Sequence, residues 1–129
     1  MTLAELQKLT NEEIDREIAV KVMGWSRHHG EWDGAGRKTC ELCGLDISRS
    51  HTPIWCQNKH GWNPSTDHND IAAVRVEAER REVKKLFVLR LTEIVYKNVS
   101  PSGDCYWSLI NATPRQQCEA ILLAMEDER

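Results

Sequence analysis

Apolar residues recur at helical spacing at both ends of the chain and lose all periodicity in between. Ile14, Ile18, Val22 and Trp25 fall three or four residues apart, the spacing that lines one face of an α-helix. Thr10 followed by Glu13 forms a capping box, Leu9 and Ile14 can staple across it, and Gly24 stands where the helix should stop. The pattern predicts a helix over residues 9–25, with a short turn at 3–8 before it. Near the other end, Thr113, Pro114 and Gln116 mark a second capped start. Cys118, Ile121, Leu122 and Met125 follow as its core-facing stripe. Cys118 reads there as a small buried hydrophobe rather than a nucleophile.

Ser65, Thr66 and Asp67 offer N-caps for another helix through about Lys85, with a thin stripe of Ile71, Val74 and Ala78. Residues 86–96 alternate Phe87, Leu89 and Leu91 against Val88, Arg90 and Thr92 and are rich in β-branched side chains, which predicts a strand. Pro101 and Gly103 supply turn chemistry, and residues 105–112 predict a second strand. The expected fold is therefore α+β, a small antiparallel sheet packed by about three helices. It forms one domain over residues 1–129, interrupted by an insertion at about 26–64.

That insertion carries the sharpest local signal. Cys40 and Cys43 are separated by two residues, Cys56 follows after twelve more, and His60 after a further three. Two thiolates at this spacing can face one ion from a tight turn, and Gly44 lets the chain leave it. The whole resembles a zinc-knuckle loop, in which four ligands close a tetrahedron around structural Zn2+ and leave no open position for catalysis. His60 is the expected fourth ligand, with His51, His28 and His29 as alternatives. A stretch this long without periodicity needs something other than a hydrophobic core to order it.

Four of the five tryptophans, Trp25, Trp32, Trp55 and Trp62, lie in the first half of the chain. With His28 and His29 beside Trp25 and Trp32, an aromatic-walled site for a flat ligand such as a nucleobase is one reading, and a solvated loop the other. Trp62 leads through Ser65, Thr66 and Asp67 into a helix N-terminus, where backbone amides can receive an anion or simply be capped. A net charge of −3 disfavours a globally basic nucleic-acid binder. The residues Arg75, Arg80, Arg81, Lys84, Lys85 and Arg90 are interleaved with Glu77, Glu79 and Glu82, as in a solvated, ion-paired helix face. No nucleotide-binding glycine loop, zinc-protease or serine-hydrolase motif is present, so no enzyme is expected. No membrane span or export signal is read from the sequence, which predicts a cytoplasmic protein with reduced thiols.

Three stretches, residues 18–25 (IAVKVMGW), 62–67 (WNPSTD) running into 70–74 (DIAAV), and Thr113-Pro114 with Cys118, Ala120, Leu122, Leu123 and Ala124, resemble the phage ABA-sandwich family of small bacteriophage proteins. The resemblance spans about residues 12–125 and implies an α/β sandwich and, for a phage-encoded chain, the cytoplasm of a bacterial host. The sequence departs from the pattern at His68 and Asn69, which are inserted, at Arg75 and Val76, where a Trp is common, and at Glu119, where an Arg is usual. The zinc spacing is a feature of this chain rather than of the family. The functional expectation is a non-enzymatic accessory protein that binds a ligand, sequestering a nucleotide-type immune signal of the host. The alternatives are a zinc-stapled module that binds a host or phage protein, and a nucleic-acid-binding accessory protein. A homo-oligomer is compatible with each.

Overall fold

Two threonines open the first helices. Thr2 Oγ1 accepts the Glu5 amide to start α1 (Leu3–Lys8), and Thr10 and Glu13 form the capping box that starts α2 (Asn11–Glu17). In this computed structural model, which describes residues 1–27, 30, 32–41, 46–48, 62–96, 109 and 111–128, α2 runs directly into a π-helical turn, Ile18–Val22. The Met23 amide closes that turn on the Ile18 carbonyl at 3.1 Å, and Gly24 leaves it at φ 69°. The chain divides into two compact units, Met1–Met23 with Asn63–Arg129, and Gly24–Trp62.

In the larger unit, Asp67 caps α3 (His68–Arg80) by accepting the amides of Asn69 and Asp70 on Oδ1 at 2.8 and 2.9 Å. The helix does not run on to Lys85. It ends in a Schellman turn, with the Val83 amide on the Ala78 carbonyl at 3.1 Å and the Glu82 amide on the Glu79 carbonyl at 3.0 Å. Glu82 occupies the left-handed position at φ 63°, and Val83 and Ala78 are both buried behind it, as this motif favours. α4 (Lys84–Tyr96) starts at once, its Phe87 amide bonded to the Val83 carbonyl at 2.8 Å.

The strand expected over residues 86–96 is thus an α-helix, and the α+β sandwich is corrected with it. The same residues carry two periods. Phe87, Leu91, Ile94 and Val95 fall at i, i+4, i+7 and i+8, and these are the four that α4 buries. The β-branched content that suggested a strand is a weak preference, overridden by a continuous core face. Residues 105–108 and 110 of the second expected strand lie outside the described residues, while Leu109 is helical. Among the described residues 62% are helical and no sheet forms, only isolated bridges.

Thr113 and Gln116 close a second capping box and open α5 (Pro114–Asp127) with Pro114 in the first turn. Every residue from Gln117 to Ala124 is buried, so this helix is enclosed on all sides. It packs against α1, α2, the π turn, α3 and, most extensively, α4. Ile14, Ile18, Val22, Ile71, Val74 and Ile121 fill the interior with little or no exposure.

Polar side chains fix the helices around α5. Arg115 donates to the carbonyls of Leu6 and Leu9 at 2.8 Å each and to Asn11 Oδ1 at 2.9 Å, satisfying the end of α1 and the start of α2 from 100 residues away in sequence. It also pairs with the buried Glu119 at 3.5 Å. Asp15, buried on α2, accepts the Ser65 amide at 2.8 Å and so ties the entry to α3 to the same core. Gln117 accepts from Arg75 at 2.6 Å and donates to the Ala112 carbonyl at 3.1 Å. Burial raises the pKa of both Asp15 and Glu119, against the opposing pull of Ser65 on the first and Arg115 on both. Burial also pushes the Cys118 thiol far above its ordinary range, with the Asp15 charge adding to the effect.

Glu82→Gly should raise unfolding stability by about 0.5–1 kcal/mol, because glycine carries no steric cost at positive φ and gives back only part of that in chain entropy. An unchanged urea midpoint would show that this position is not strained. Glu119 has a folded-state pKa above its unfolded one, so the native state binds the extra proton and stability falls as pH rises through that window. Wild type should therefore gain on Glu119→Gln as pH falls from neutral toward the ordinary carboxylate range. Unfolding curves at a series of pH values that show the gap moving the other way would mean Arg115 outweighs burial.

Candidate binding and metal site

The Gly24–Trp62 unit is built from turns rather than helices in its described part. Asp33 organises a tight hairpin. Its Oδ1 accepts the amides of Ala35 and Arg37 at 2.8 and 2.9 Å, its own amide donates to the Arg37 carbonyl at 2.8 Å, and Gly36 at φ 77° turns the chain back. Trp32 and Lys38 face each other across an antiparallel bridge. The signal for this turn was present in the sequence as Asp33-Gly34 with Gly36 close behind, a common hairpin signature. A second bridge joins Thr39 to Asp46, with the Ile47 amide on the Lys38 carbonyl at 2.7 Å. Gly30 lies so near this hairpin that a Cβ there would stand 2.0 Å from the Thr39 carbonyl oxygen, so only glycine fits.

Among the described residues the tryptophans of this unit are split between two environments, and Trp55 lies outside the described residues. Trp25 and Trp62 pack edge to face, ring centroids 4.6 Å apart and planes at 61°, so each fills the space beside the other rather than walling a slot for a flat ligand. Trp32 is 63% exposed, with Lys38 Nζ 5.9 Å from its ring centroid. His28 and His29 lie outside the described residues. Ser65, Thr66 and Asp67 belong to the larger unit, where Ser65 is buried on Asp15 and Asp67 occupies two of the first α3 amides. Helix capping accounts for Asp67, and the Asp15 bond for Ser65. The basic residues near the α3–α4 corner are largely paired: Arg80 and Arg81 both reach Glu77, and Lys84 reaches Glu79 at 3.7 Å.

Of the expected metal ligands, Cys40 is described and is 1% exposed at the end of the hairpin. Cys43, Cys56 and His60, with the alternative His51, lie outside the described residues. Among the described residues no cluster of three or more metal-ligating side chains forms. Cys40 is also the sole buried apolar side chain among this unit's described residues. A unit held together by turns and bridges, with a thiol at its interior, suits a metal staple, and the donor chemistry of three thiolates and an imidazole suits zinc. No described helix is long and apolar enough to cross a membrane. No known protein family, curated protein or solved structure matches this chain.

Purified protein should carry about one zinc per chain, and Cys40→Ser should lower that content sharply. Removing the metal should change tryptophan fluorescence, since four of the five tryptophans fall in residues 24–62. Far-UV circular dichroism should persist, because the helical unit has its own core. Metal-free protein with unaltered fluorescence would exclude a zinc staple.

Proposed function

We propose that this chain is a non-enzymatic binding protein whose zinc-held 24–62 unit recognises a protein partner through Trp32. The supporting observation is a large, amphipathic side chain left 63% exposed on a turn that four hydrogen bonds to Asp33 and its neighbours hold in place. Exposed tryptophans on rigid supports are the residue type that most often dominates an interface, because little conformational freedom is lost when they are covered. Lys38 over the ring, with the exposed Arg37 next to it in sequence, favours an acidic surface on the partner. A phage accessory role, with a host protein as target, fits the family resemblance.

One observation favours a second reading, sequestration of a nucleotide-type host signal. A cation above an aromatic face can receive a planar, negatively charged molecule by stacking and charge together. The packing of Trp25 on Trp62 weighs against it, since the enclosed aromatic slot that such a ligand favours is filled by the rings themselves.

Trp32→Ser should fold normally and weaken partner binding at least about tenfold, the loss typical of a hot-spot residue. The measurement is capture from host-cell extract by immobilised protein, identification of the partner, and titration of wild type and variant against it. Equal affinity of the two would remove Trp32 as the anchor. Calorimetric titration with cyclic and ADP-ribose-type nucleotides separates the second reading, which requires saturable binding lost in the same variant.

A further inference from the structure

The outer face of α4 has no counterpart in the helical core. Its inner face is fixed by Phe87, Leu91, Ile94 and Val95, and one flank by Arg90, which grips Asp127 at the end of α5 with two bonds of 2.6 and 2.8 Å. Pointing away is a row at i, i+4 and i+8: Lys85, Leu89 and Glu93, all exposed. Leu89 is 54% exposed and its neighbour Val88 46%, in a helix whose other apolar residues are buried or half-buried. Among the described residues Lys85 makes no ion pair and Glu93 reaches only Arg90, at 3.0 Å on its own helix.

We propose that this face pairs two copies of the chain, α4 against α4, antiparallel about a two-fold axis through Leu89. Lys85 and Glu93 stand four residues either side of Leu89, about 6 Å along the helix axis in each direction. The row reads positive, apolar, negative. Turned end for end on itself, it places each Lys85 against the partner's Glu93 and Leu89 against Leu89, with Val88 flanking. A parallel arrangement would set like charges opposite each other instead. Isologous pairing of this kind is the commonest symmetry of soluble oligomers, and it needs one patch that complements itself. A single helix row is smaller than a standard interface of about 1,600 Å², so association is expected in the micromolar range. This proposal is independent of the role given to Trp32.

Sedimentation equilibrium of the full zinc-loaded chain over a wide concentration range reads the association directly. Wild type should dimerise reversibly. Lys85→Glu and Glu93→Lys should each weaken self-association about tenfold or more, because each replaces two attractions with two like-charge contacts. Mixing these two variants should restore wild-type association as a heterodimer, and so should combining both changes in one chain. Leu89→Ser should weaken association without altering circular dichroism, which guards against a charge variant that fails to fold. A wild-type chain that stays monomeric, single variants that associate like wild type, or a mixture that does not recover would each overturn the proposal.

Discussion

The helical unit depends on one constraint: α5 must be covered on every side. A helix buried from Gln117 to Ala124 cannot carry its own polar groups unaided, and the unit resolves this with a few side chains that each serve two elements. Arg115 is the most consequential. Its guanidinium satisfies two carbonyls at the end of α1 and the Asn11 side chain at the start of α2, while its charge offsets the buried Glu119. The short N-terminal helices are too brief to be stable alone. They are held because their frayed ends find donors on α5. Asp15 and Ser65 do the same for the approach to α3, so the chain's two halves are joined through hydrogen bonds as well as through burial.

Local chemistry made some elements legible. The capping boxes at Thr10 and Thr113 are reciprocal hydrogen bonds between residues three apart, and their geometry follows from sequence alone. Gly24 likewise leaves its helix in the conformation that glycine permits. The end of α3 was not legible, because a glutamate stands where glycine is usual. Without a glycine or proline to mark it, the Schellman turn at Glu82 left α3 and the start of α4 looking like one helix. The Arg115 fan was equally hidden, since its partners lie more than 100 residues away.

The 24–62 unit presents the opposite case. Its residues announce chemistry, in the cysteine spacing and the cluster of tryptophans, but chemistry does not fix which rings meet. Trp25 and Trp62 are 37 positions apart in sequence and pack on each other, while Trp32, between them, is held outward by an Asp33 turn. The candidate ligand site read from the sequence therefore separates, among the described residues, into a packed pair, an exposed Trp32, and residues of the other unit in which Asp67 caps α3 and Ser65 bonds to Asp15. Local hydrogen bonding at Asp33, rather than aromatic content, fixes the turn beside which Trp32 stands exposed.

The misread strand and the outer face of α4 have one cause. Residues 86–96 contain more apolar side chains than a helix of one buried face requires, and alternation over Phe87, Leu89 and Leu91 turned that excess into an apparent strand. Once the core selects Phe87, Leu91, Ile94 and Val95, the surplus falls to the exposed side as Val88 and Leu89. A lone exposed leucine is ordinary. A leucine centred between a lysine and a glutamate at equal helical intervals, as Leu89 is between Lys85 and Glu93, is a pattern that complements itself when turned end for end. The ambiguity between two secondary structures thus arises from apolar side chains in excess of those that the one buried face of α4 takes up.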